Sequence, residues 1–118
     1  MAMNERYMKC SPELPLQEAA KLLLGVGRRN IIIVDNYSRM LGTVSVSDIL
    51  RFVVTDDLDW RYVHVREVMT TDFISLPEGH SKEQAIKVFF EKKLDYLPVL
   101  GKKGELLGVE FVHEYLSV

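Results

Sequence analysis

Cysteine is almost absent from this chain. The single Cys10 excludes an intrachain disulfide and a cysteine-built zinc site. Two readings stay open for it: a small apolar residue inside a strand, or one half of a bridge between two copies of the chain, which matters mainly in a hyperthermophile. Asparagine (4, 30, 36) and glutamine (17, 84) are scarce as well, and amides are thermally labile. No run of five or more Lys or Arg occurs, and the formal net charge is −2 with a pI near 5.9. The electrostatic footprint of a nucleic-acid binder is therefore missing. Apolar runs such as Ile31 to Val34 fall far short of the ~20 residues that span a bilayer, and the polar start Asn4-Glu5-Arg6 lacks the apolar core of a signal peptide. A cytoplasmic protein is expected, with neither membrane nor nucleic acid as partner. Catalytic spacing is wanting too. Cys10 has no signalled base, His64, His80 and His113 show no metal-type spacing, and the carboxylate pair Asp56-Asp57 sits in a polar joining segment. No enzyme, catalytic cofactor or metal site is expected.

What is present is ordinary globular material: 118 residues with 47% apolar and 27% charged side chains. A chain of this size buries roughly two-thirds of its unfolded surface. Two half-sized units would each be marginal alone, so one fused module is expected, in an oligomer.

The sequence repeats itself. Ala19, Lys21, Leu41, Gly42, Val46 and Leu50 recur 66 residues later as Ala85, Lys87, Leu107, Gly108, Val112 and Leu116. The apolar pattern recurs with them, as in Ile31-Ile32-Ile33-Val34 against Leu97-Pro98-Val99-Leu100. Upstream, matching Ser11-Pro12-Glu13 to Leu76-Pro77-Glu78 takes a shift of 65, which implies one extra loop residue in the second copy. Each copy reads as a short strand (7–10; 72–75), a Pro-containing turn, an amphipathic helix, a hairpin (30–34 with 40–46; 96–100 with 106–112) and a short helix (47–53; 113–117). Gly25 and Gly27 end the first long helix, and Ser81 with Gln84 offers a capping box to the second. The fold class is thus α/β, an α+β sandwich of two β-α-β-β-α repeats: 1–54, a linker over 55–64, and 65–118. In the linker, Trp60 and Tyr62 are expected to pack against the module, contact with a ligand being the alternative.

The duplicated unit resembles the CBS (cystathionine β-synthase) domain pair over nearly the whole chain. The motifs are Val65-Arg66-Glu67-Val68-Met69-Thr70, Tyr96-Leu97-Pro98-Val99, and Gly42-Thr43-Val44-Ser45-Val46-Ser47-Asp48, which matches the family's Gly-x-x-Ser/Thr-x-x-Asp signature. The resemblance implies two sheets packed face to face about a pseudo-twofold axis. It also implies two equivalent clefts that often hold AMP, ADP, ATP or S-adenosylmethionine, and assembly of this pair, a stand-alone Bateman module, into a disc-like homodimer. The expected function is a non-catalytic nucleotide sensor. No attached enzyme, channel or DNA-binding domain is expected, so whatever responds to ligand is expected to be a separate partner, the alternative being a protein that simply buffers nucleotide.

A nucleoside monophosphate needs a flat apolar slot, a carboxylate for the ribose hydroxyls, and cations or oriented donors for phosphate. Asp48, at the opening of a helix, can accept two O–H bonds from a cis-diol, and the helix N–H groups lie near a bound phosphate. Ser45 and Ser47 are expected on one side of an extended segment, facing the same cleft; the alternative is that one of them merely caps the helix. By resemblance, Arg29 meets the phosphate, with Arg28 in reserve, and His113 is either a second cation or an ordinary surface histidine. Adenine would lie on Asp72, Phe73 and Ile74, with Thr43 and the Tyr96-Leu97-Pro98 segment closing the slot. Pro98 offers no N–H and would leave a gap in its ladder. The second copy puts Phe111 and Glu114 at the Ser45 and Asp48 positions, so one site per chain is expected. A single placed Arg leans toward AMP. A purely structural dimerisation module, or one that binds S-adenosylmethionine, is the competing reading.

Overall fold

Residues 16, 19, 20 and 23 fall on one side of a 3.6-residue turn, and in the computed structural model they form the buried face of helix α1 (Leu16–Val26). The structure describes residues 2–3, 7–26, 29–55 and 59–116. Asn4-Glu5-Arg6, Gly27, Arg28, Asp56, Asp57, Leu58 and Ser117, invoked above, lie outside the described residues.

The first unit contains β1 (Ala2–Met3), β2 (Met8–Cys10), α1, β3 (Asn30–Val34), β4 (Met40–Ser45) and α2 (Val46–Thr55). Its sheet has the order β1-β2-β3-β4, with β2 parallel to β3 and the other pairs antiparallel. Ile31 and Ile33 of β3 are fully buried among Met8, Leu16, Val44 and Ile49. Residues 59–73 close this unit. Asp59 caps a short 3-10 turn (Trp60–Tyr62), and a second turn (Val65–Glu67) buries Val65 in the same core. Trp60 packs on that core as expected. Tyr62 does not: it is 77% exposed, with the Arg61 guanidinium 5.8 Å from its ring centre. The aspartate-capped turn aims its ring outward.

The second unit starts at Ile74 and holds β5 (Leu76–Pro77), α3 (Lys82–Lys92), β6 (Tyr96–Leu100), β7 (Leu106–Phe111) and α4 (His113–Leu116). Its sheet order is β5-β6-β7. The core is smaller, built on Leu76, Ala85, Phe89 and Leu97. Ser81 and Gln84 form the expected capping box: Gln84 N–H donates to the Ser81 hydroxyl at 3.1 Å, and Ser81 N–H donates to the Gln84 carbonyl at 2.8 Å. Lys93 ends α3 in the left-handed region at φ 53°.

Two expectations are corrected. No extra loop residue separates the copies: Cys10 pairs with Ile33 and Leu76 with Val99, and α1 and α3 begin at Leu16 and Lys82, so the 66-residue spacing holds throughout. Pro77 is therefore the counterpart of Ser11, not of Pro12. The expected strand over 72–75 is also displaced to Leu76–Pro77. By the repeat, residue 75 would pair with Pro98, which has no N–H to offer, so the ladder stops at Val99.

Among the described residues α2 covers 46 to 55 and α4 covers 113 to 116. Cys10 is 3% exposed in the first core, and burial raises its thiol pKa to about 11, slightly opposed by the chain's amino terminus. A bridge between two Cys10 thiols would require opening that core. No helix among the described residues is long and apolar enough to cross a membrane.

Candidate functional site around Asp48

The β3–β4 pairing sets Asn30 opposite Ser45, and the Val46 N–H donates to the Arg29 carbonyl at 3.1 Å. Arg29 is thereby held beside the first turn of α2, with its side chain exposed. The strand ends at Ser45 because Ser45 caps the helix. Its hydroxyl accepts from the Asp48 N–H at 3.0 Å, while Asp48 Oδ2 accepts from the Ser45 N–H and hydroxyl, both at 2.9 Å. Of the two readings left open for the serines, capping holds for Ser45.

Ser47 is corrected. It lies in the first turn of α2, exposed, and not beyond Ser45 on an extended segment. Two residues along a strand share a face, but two residues along a helix do not.

Asp48 is the one buried charged residue among the described residues, at 7% exposure. Its second oxygen, Oδ1, accepts from the Thr70 hydroxyl and from Arg51 Nη1, each at 3.2 Å. Arg51 is mostly solvated, its side chain 69% exposed. The carboxylate thus has donors on both oxygens, which is what a buried charge requires.

Thr43 is half-buried opposite Ile32, and its other edge is paired with Thr70: Thr43 N–H donates to the Thr70 carbonyl at 2.9 Å and Thr70 N–H donates back at 2.8 Å. Gly42 permits this approach, since a Cβ there would lie 2.6 Å from the Thr70 carbonyl oxygen. The glycine of the signature therefore answers to a close contact and not to a special φ.

Arg29, Thr43, Ser45, Ser47 and Asp48 are brought together at one end of the first unit. Thr70 and Arg51 join them and were not anticipated. Arg51 follows Asp48 at i+3 on α2, a spacing that brings helical side chains together. Thr70 closes a motif singled out in the sequence, but its partner lies far back along the chain.

Asp72 and Phe73, exposed and half-buried, end the first unit without joining a strand, and Ile74, exposed, begins the second. Within the second unit Tyr96 starts β6 opposite Phe111, their ring centres 6.4 Å apart, and the His113 ring stands 5.8 Å from Phe111. Pro98 is buried and paired with Val109 on one side, while on its other side the β5–β6 ladder stops at Val99, one residue short of it. Phe111 N–H donates to the Glu114 carboxylate at 2.9 Å, repeating the Ser45–Asp48 backbone cap with a longer acid. His80 bridges the Pro77 carbonyl (3.0 Å) and Glu110 (3.1 Å). Burial and the neighbouring Glu110 carboxylate raise the Tyr115 pKa.

The model of the CBS domain family matches residues 1–55 and again 65–109. The inosine-5'-monophosphate dehydrogenase of Bifidobacterium longum is 26% identical over 108 residues, 91% of this chain. The chain spans only 19% of that enzyme's length. Among solved structures, CBSX2 in complex with AMP has a TM-score of 0.77 at 22% identity, covering 98% of this chain and 89% of that one. The cytosolic domain of the Mg2+ channel MgtE in complex with ATP has a TM-score of 0.75 at 21% identity, covering 97% and 45%.

Proposed function

The chain belongs to the CBS domain family as a tandem pair of repeats, and from that premise we propose that it is a non-catalytic regulatory module binding one adenine nucleotide per chain, AMP foremost, at Asp48. The observation that carries this reading is the Asp48 carboxylate. Burying a charge is costly, and the helix cap uses only Oδ2. The other oxygen is held by two stretched bonds from a threonine and a solvated arginine, which leaves it the natural acceptor for a ribose hydroxyl. The N-terminus of α2 and the exposed Arg29 supply positive potential beside it. The related proteins solved with AMP and with ATP support an adenine nucleotide as the ligand class.

The remaining contacts are proposed from the family resemblance, Asp72, Phe73, Ile74, Tyr96 and Pro98 for adenine and His113 as a second cation, with residues 1–54 and 65–118 acting as one combined module. Phe111, wedged between the rings of Tyr96 and His113, favours one site over two. The histidines support a non-catalytic role, since His80 is bound between Pro77 and Glu110 and His64 heads a capped turn. A cytoplasmic setting and a regulated protein partner belong to the same proposal.

The homodimer has its own support. Val46, Leu50, Val53 and Val54 form an apolar stripe at helical spacing on the outer face of α2, between 36% and 80% exposed. A second copy of α2 is the occupant we propose, and sedimentation of wild type against Leu50→Glu tests it: the wild type should be a dimer and the variant a monomer.

Thermal shift with AMP, ADP, ATP and S-adenosylmethionine tests the nucleotide reading. A ligand at 100 times its Kd adds roughly 2.7 kcal/mol of stability. AMP should give the largest shift; no shift with any of the four leaves the structural dimerisation module as the better reading.

A further inference from the structure

The bonds at Asp48 fall into two classes. Those from Ser45 are 2.9 Å and local. The bond from the Thr70 hydroxyl is 3.2 Å, beyond the usual O–H···O range of about 2.5–3.0 Å. Thr70 also belongs to a different part of the chain, the segment from Val65 to Phe73 that closes the first unit and leads into the second at Ile74. Near Thr70 that segment is held by the paired Thr43–Thr70 amides, the Met69–Thr70 contact over Gly42, and the hydroxyl bond to Asp48.

We propose that Thr70 is an internal competitor for the nucleotide site: its hydroxyl occupies the acceptor on Asp48 Oδ1 that a ribose hydroxyl takes on binding, so that ligand entry unhooks the segment leading into the second unit. This rests on the nucleotide reading given above. A carboxylate has about four lone-pair positions, and four donors already fill them: the Ser45 amide and hydroxyl, Arg51 and Thr70. A diol must displace donors to bind. Losing the Ser45 amide would break the helix cap, whereas the Oδ1 bonds are long and their donors, Thr70 and Arg51, are both solvent-exposed. Displacing Arg51 releases one mobile side chain. Displacing the Thr70 hydroxyl removes one of the three contacts that hold its segment, leaving the Thr43–Thr70 amide pair to carry it. The site therefore contains both the ligand's anchor and the means by which the chain registers that it is occupied.

Thr70→Val removes the hydroxyl and keeps the shape. Without ligand, amide exchange at residues 43 and 70 should be roughly three- to tenfold faster in Thr70→Val than in wild type, the worth of one hydrogen bond, with Ile31 and Ile33 amides unchanged. AMP should bind Thr70→Val tighter by a similar factor, and should speed exchange at 43 and 70 in wild type. The inference is overturned if AMP binds wild type but Thr70→Val weakens it, or if AMP slows those amides, because Thr70 would then be holding the ligand. It is also overturned if exchange without ligand is identical in the two proteins. AMP binding to neither protein would instead sink the nucleotide reading, and displacement with it, whatever the ligand-free exchange shows about the hook.

Discussion

Adding one methyl group at Gly42 should damage the protein, and adding the same methyl at its repeat partner, Gly108, should not. A Cβ at residue 42 would sit 2.6 Å from the Thr70 carbonyl oxygen and 3.1 Å from the Met69 sulfur. An ordinary C···O contact is about 3.3–3.6 Å, so the overlap is close to an ångström. Met69 can swing aside, but the carbonyl is fixed by the reciprocal Thr43–Thr70 pair. Overpacking of this kind costs about 1–3 kcal/mol. The reduced entropy of the unfolded chain returns about 0.4–1 kcal/mol. The net loss for Gly42→Ala is therefore centred on about 1 kcal/mol and reaches at most about 2.6 kcal/mol. At Gly108 the added methyl finds nothing within 4 Å, leaving Gly108→Ala neutral or slightly stabilised. Urea unfolding of both variants against wild type reads the difference as a shift in midpoint at constant slope. Equal midpoints for the two variants would show that the Met69–Thr70 segment does not press on Gly42 as described.

Lys93 holds the left-handed cap of α3 at φ 53° without being glycine, and L-residues pay roughly 1–2 kcal/mol there. Lys93→Gly should accordingly raise stability by about 1 kcal/mol in the same urea assay. The Cys10 thiol, with its pKa raised from 9.0 to about 11 in the fold, is neutral in the native state while the unfolded thiol ionises from about pH 9. Its contribution to stability is present below pH 9 and is lost as the pH rises from about 9 to about 11, so wild type should show an alkaline fall in urea midpoint that Cys10→Ala lacks. A thiol reagent at pH 8 should label the native protein slowly and the urea-unfolded protein at once.

Most of the architecture could be read along the chain because the duplication states each element twice. Helices α1 and α3 and both hairpins lie where apolar spacing puts them, and the Ser81–Gln84 cap formed from four local residues. What failed had several causes. The strand expected over 72–75 depends on what its neighbour can donate, and that neighbour has Pro98. Ser47 was read with the two-residue period of a strand, although Ser45 had already turned the chain into a helix. Thr70 could not be assigned to Asp48 from sequence at all, since their contact exists only after Thr43 and Thr70 pair. Local spacing reports on helices, caps and hairpins, whereas pairing partners decide strand ends and the far side of a buried carboxylate.

The most direct test is isothermal titration with AMP and with its 2'-deoxy analogue, on wild type and on Asp48→Ala. The expected result is one AMP per chain, with roughly tenfold or greater weakening on loss of either the 2'-hydroxyl or the carboxylate, as for a charge-assisted bond. AMP and 2'-deoxy-AMP binding wild type equally, with Asp48→Ala unaffected, would mean that Asp48 serves only to cap α2 and tie down Thr70.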